Sequence, residues 1–207
     1  MPWTPPGKNC GACGSSTCEG FVTRVHDNSV SLKDCPYYSE DIHINVRPRG
    51  TVYNGIDVVG QEYDFIVTPL PGEPSARKIV MPFRPDLTEK YGIKKGDIVV
   101  GRPAGPGCPV QHVIRVIEAD YITGVISGHV VGPSYSRGKD FIDLKMYHML
   151  AFEGMADVIN REPQFGHRQF FLPGMCMLHR AHTGLVSSVI KRPYGLQVRV
   201  DDIRILG

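Results

Sequence analysis

Three cysteines fall close together in "GKNCGACGSSTCEGF", and a fourth follows in "LKDCPYYSED". Cys10, Cys13, Cys18 and Cys35 read as C-x2-C-x4-C-x16-C. Four thiols can pair as disulfides, hold a zinc ion or ligate an iron–sulfur cluster. Disulfide frameworks spread their bridges over short secreted chains, whereas these four crowd the start of a 207-residue chain. Zinc sites usually use two separated C-x2-C knuckles, or cysteine pairs with histidine pairs. Here three thiols share one tight loop and the fourth returns after a spacer. A cubane cluster suits that arrangement: the loop thiolates grip three irons and the remote one holds the fourth. A zinc knuckle that only ties down the N-terminus is the alternative.

Two loops further along carry the other soft ligands. "GRPAGPGCPVQH" holds Cys108 and His112, and "FLPGMCMLHRAHTG" holds Cys176, His179 and His182 as C-x2-H-x2-H. All are soft or borderline metal ligands, and His129 in "SGHVVGP" is a further candidate. Cys108, Cys176, His179 and His182 are therefore the candidates for a second pocket, with catalytic or metal-binding chemistry. The competing reading makes Cys176, flanked by Met175, Met177 and Leu178, a buried core thiol, with the histidines bonded to nearby carbonyls. Arg47, Arg49, Arg102 and Arg115 offer at most a basic rim. His43, His148 and His167 read as surface or satisfied core residues. No glycine fingerprint of a nucleotide site and no G-x-S-x-G elbow is present.

The elements that must position the first four thiols are short. Gly11 and Gly14 let the loop take backbone angles that a Cβ forbids. Phe21, Val22 and Val25 recur at helical spacing, "HDNS" reads as the helix exit, and Pro36 turns the chain after the last ligand. The stretch "CGACGSSTCEGFVTRV…KDCPYYSED" resembles the four-cysteine [4Fe-4S] domain of the corrinoid iron–sulfur protein large subunit. The same domain occurs in one component of the Rnf electron-transport complex and in corrinoid reductive activators. The resemblance covers residues 7–42 or so. It implies a [4Fe-4S] cluster on Cys10, Cys13, Cys18 and Cys35. It also implies an anaerobic archaeal or bacterial setting linked to one-carbon or corrinoid metabolism.

Residues 45–207 do not resemble the corrinoid-binding barrel of that protein. They read as a β-rich barrel domain of unknown ligand, following a module at residues 1–44, with "RPRG" at 47–50 as a linker or first turn. Strand runs include "IDVVGQEYDFIVTPL", whose glycine suggests a bulge, and "KIVMPF", "GDIVVGRP" and "QHVIRVIEADYITGVISGHVV". "DFIDLKMYHMLAF", "GLVSSVI" and "GLQVRVDDIRIL" continue the style. Helices are expected at "RPDLTEKYG" and "FEGMADVINR". The fold class is thus mainly β, with a small α-containing N-terminal iron–sulfur module and a β-barrel-like C-terminal domain.

The formal net charge of +2 is too small to argue for nucleic acid or an anionic membrane surface. No apolar run approaches the roughly 20 residues of a membrane span. No secretory signal opens the chain, so the expected location is the cytoplasm. The leading functional expectation is an electron-transfer protein with one low-potential [4Fe-4S] cluster. Its partner would be a redox protein such as a corrinoid protein or an oxidoreductase complex, and the chain itself is a candidate homodimer. Two alternatives stand beside it. One is a redox enzyme whose barrel binds a substrate or metallocofactor reduced through the cluster. The other is a zinc-stabilised interaction module.

Overall fold

The computed structural model describes residues 5, 7, 9–35, 37–38, 53–157 and 159–205. The chain divides into two compact units, Met1–His43 and Ile44–Gly207. The expected junction at residues 44/45, the "RPRG" segment, Pro36, His43, Arg47 and Arg49 lie outside the described residues.

The first unit is built around one helix, α1 (Cys18–His26). Thr17 caps it, its side chain accepting from the Gly20 amide. Such a cap satisfies one of the four amides that a helix N-terminus leaves open. The helix stops where Asn28 turns left-handed at φ 56° and Ser29 Oγ donates to the Arg24 carbonyl. A short 3-10 turn, Leu32–Asp34, follows, held by Asp34 accepting from the Ser31 amide at 2.9 Å. Among the described residues of this unit, Ser15, Phe21 and Cys35 are buried. One phenylalanine is a very small core, and units of about 40 residues ordinarily need a metal, disulfides or a partner to fold.

Among the described residues, the second unit forms nine strands in one continuous sheet. They are β1 (Phe65–Thr68), β2 (Arg77–Pro82), β3 (Ile98–Pro103), β4 (His112–Ala119), β5 (Ile126–Val130), β6 (Ile142–Asp157), β7 (Arg168–Pro173), β8 (His182–Arg192) and β9 (Gly195–Ile205). Neighbours run β1-β7-β8-β9-β6-β2-β5-β4-β3, and β6 pairs in addition with both end strands. The sheet therefore closes twice. One ring is β1-β7-β8-β9-β6, and the other is β6-β2-β5-β4-β3. The long β6 belongs to both. Its first half, Ile142–Tyr147, pairs parallel with β3, and its second half pairs antiparallel with β9 and β1. Strand β2 bridges the middle.

Each ring encloses its own core. Phe65, Val67, Phe152, Phe171, Val186 and Val200 fill the first. Val80, Val99, Ile114, Val116, Ile126 and Tyr147 are prominent in the second. Met149 and Met175 pack against both, a role that suits an unbranched, adaptable side chain.

The mainly β class and barrel-like closure expected from the sequence are what the chain adopts, in two rings rather than one. Among the described residues, the expected helix over "FEGMADVINR" is absent. Phe152–Asp157 is the second half of β6. Pairing with β9 and β1 satisfies its backbone and overrides the helix preference of Glu, Met and Ala. At "RPDLTEKYG" a four-residue helix forms, α2 (Leu87–Lys90). Gly60 marks a turn, not a bulge: at φ 86° its amide donates to the Asp57 carbonyl. Strand β7 was not among the expected runs.

Candidate functional site

The geometry around the first four cysteines follows from the loop chemistry. Asn9, left-handed at φ 46°, points its Oδ1 at the amide of Cys18 at 2.7 Å. Gly11 and Gly14 sit at φ 71° and 73°, and the Gly14 amide closes a turn onto the Gly11 carbonyl at 2.9 Å. Cys13 rides in that turn. Arg24, in the last turn of α1, reaches back to donate to the Gly14 carbonyl and to Ser15 Oγ, both at 2.9 Å. Cys18 opens α1, at the end of the helix dipole that favours negative charge. Cys35 follows the capped 3-10 turn.

All four cysteines line one concavity, together with Asn9, Gly11, Ser15, Thr17, Phe21 and Tyr37. Cys10 is exposed, Cys13 and Cys18 are half-buried, and Cys35 is buried. All four are free thiols. Among the described residues, no three Cys, His, Asp or Glu side chains converge closely enough to share one metal ion. Four thiols around one hollow, in a unit whose described residues bury a single large apolar side chain, fit an iron–sulfur cluster that acts as cofactor and core together.

The other candidates are sorted differently from the C-x2-H-x2-H reading. Cys108 is buried and Cys176 half-buried, and each acts electrostatically on Lys78. His182, 5% exposed, packs among Phe152 and Phe171, with its Nδ1 2.9 Å from the Arg180 carbonyl oxygen. Burial pulls it down to about 4, and the charges of Lys78 and Arg180 act in the same direction. His179 instead stacks on the ring of Tyr53, at a centroid distance of 5.6 Å. His129 faces Glu73, its Nε2 3.2 Å from the carboxylate that also binds Arg77.

What the structure adds is a buried polar triangle. Lys78 Nζ lies 2.6 Å from Tyr147 Oη and 3.0 Å from His112 Nδ1, and that nitrogen lies 2.6 Å from Tyr147 Oη. Burial lowers Lys78 to about 7, opposed by the Cys108 and Cys176 thiols. Burial and the Lys78 charge lower His112 to about 3, and burial raises Tyr147 and Cys176. Sequence reasoning missed Lys78 and Tyr147. The available signal was strand alternation, which puts Lys78 on the same face of β2 as Val80 and Pro82.

Residues 6–37 match the family model described as "Putative Fe-S cluster". The chain is thus a mainly β protein with an N-terminal iron–sulfur cluster-binding domain. It is 32% identical over 214 residues to the uncharacterized protein MJ0119 of Methanocaldococcus jannaschii, covering 94% of this chain and 90% of that one. It belongs to the family of that protein. No solved structure matches it. Among the described residues, no helix is long and apolar enough to cross a membrane.

Proposed function

We propose that this protein transfers single electrons through one low-potential [4Fe-4S] cluster held by Cys10, Cys13, Cys18 and Cys35. The observation that carries the reading is the single hollow lined by all four thiols, within the segment that matches an iron–sulfur family. The cluster supplies a one-electron couple, and the chain's residues set its terms. Phe21 and the buried Cys35 would shield a cluster held there from water, and Cys10 is the exposed ligand through which a partner would exchange the electron. The four-cysteine pattern favours a redox partner from corrinoid or one-carbon metabolism in an anaerobe, such as a corrinoid protein or an oxidoreductase complex.

The test is metal and sulfide analysis of protein purified without oxygen, with electron paramagnetic resonance after dithionite. The expected result is about four irons and four sulfides per chain and a reduced-cluster signal. Zinc without sulfide overturns the reading. Serine at any of the four cysteine positions is expected to lower iron content and weaken or abolish that signal.

A further inference from the structure

The electron-transfer reading leaves the Lys78–Tyr147–His112 triangle unused. It sits on β2, β6 and β4, three strands of the second ring, with Phe152 of the first ring's core near Lys78. Lys78 is 1% exposed. Lysines are almost never this buried unless paired, and the usual partner is a carboxylate. The side chains that oppose the effect of burial on Lys78 are instead the thiols of Cys108 and Cys176. Its Nζ lies 4.8 Å from the centroid of the Tyr147 ring and 5.8 Å from that of Phe152. His112 and Cys176 are the partly exposed members of the group.

We propose that Lys78, Tyr147 and His112 form a catalytic site in which the Lys78 amine adds to the carbonyl carbon of a small, uncharged aldehyde or ketone. The Nζ lone pair forms the new C–N bond, and the C=O π pair moves onto oxygen, which takes the Tyr147 hydroxyl proton. The proton released from Nζ passes to His112 Nδ1 and from there to the Tyr147 phenolate across their 2.6 Å contact. In the second half, Tyr147 protonates the departing hydroxyl, which leaves as water. The nitrogen lone pair closes the C=N bond, and the remaining Nζ proton restores Tyr147. The sum is amine plus carbonyl giving imine plus water, with no oxidant or reductant.

Three features fit this chemistry better than a structural lysine. Burial lowers the amine to about 7, so a substantial fraction is uncharged at neutral pH. An exposed lysine near 10.4 is uncharged in only about one molecule in 2,500. A phenol stands where the carbonyl oxygen needs an acid, and an imidazole held neutral in the same triangle can relay the proton. The flanking Phe152 favours a neutral, apolar carbonyl compound over an anion.

The experiment is reductive trapping of the full chain with propanal and sodium cyanoborohydride at pH 7, mapped by peptide mass spectrometry. Lys78 is expected to gain a propyl group at least about tenfold faster than the exposed Lys95. The expected ratio is kept modest because entry to the buried amine is restricted. Labelling of Lys95 with Lys78 untouched overturns the proposal. Tyr147→Phe keeps the ring and removes the acid. It is expected to slow trapping at Lys78 by about 100-fold while Lys95 is unchanged. Undiminished trapping at Lys78 in Y147F overturns the assigned relay. Neither readout depends on the N-terminal cluster.

Discussion

At the scale of single residues, charge placement matters more than residue type. Arg24 is tied to the cysteine loop by two hydrogen bonds. Its cation favours the more negative, reduced state of a cluster in that loop. Arg24→Gln is therefore expected to lower the midpoint potential by on the order of 50 mV. A charge interaction of about 1 kcal/mol corresponds to ~43 mV for one electron. A spectroelectrochemical titration measures this, and an unchanged potential removes Arg24 from the tuning residues. The buried histidines predict a second effect. His182 and His112 are neutral in the fold to about pH 4 and 3 but titrate near 6.5 when unfolded. The unfolded chain therefore binds more protons in this window, and stability falls as pH drops from 6.5 toward 4. The expected slope is up to about 1.4 kcal/mol per pH unit for each histidine. Denaturant unfolding of wild type and His182→Gln across that window measures it. The variant should lose one histidine's share of the slope.

At the scale of elements, β6 decides the architecture, and one glycine lets it do so. A Cβ at Gly154 would stand 2.1 Å from the Thr68 carbonyl oxygen, where β1 closes the first ring against β6. A methyl group there must push the closing strand away. Gly154→Ala is expected to cost about 1–3 kcal/mol, seen as a fall in Tm on the order of 2–12 °C. A melting point equal to wild type would mean that β1 is not held so closely. Gly124, at φ 73°, is needed for a different reason. It ends the β4–β5 turn hard against Pro85, while its carbonyl accepts from Thr88 Oγ1 at 2.8 Å. The strands around it were legible from alternation, as in β5, where burial switches at every residue. The second half of β6 was not, because its residues favour a helix by local preference and become a strand only between β9 and its closing partners.

At the scale of the whole molecule, the two units have cores of different kinds. The β unit buries two apolar clusters within closed rings. The N-terminal unit buries Phe21 and little else among its described residues. Its folding free energy is then expected to come largely from the cluster. Removing iron with a chelator under oxidising conditions should abolish the α1 helix signal and expose the first 43 residues to protease. The β unit should keep its circular dichroism and its melting transition within a few degrees. Limited proteolysis with mass mapping checks both. Loss of the β transition on chelation would contradict the division of stability.

The sequence alone marked the N-terminal segment as an iron–sulfur cluster-binding domain. Cys10, Cys13, Cys18 and Cys35 lie on short local elements, where turn residues, helix caps and spacing suffice to bring thiols together. It also determined the mainly β character of the rest, because alternation is a local property of each strand. Only the tertiary structure decided that the sheet closes twice, that Phe152–Asp157 is strand, and that Lys78, Tyr147 and His112 meet. The physical reason is sequence distance. These contacts join residues 34 to 69 positions apart. They form because closing the sheet satisfies the backbone of β6 and buries two cores, and no local pattern encodes which strands will come together to do so.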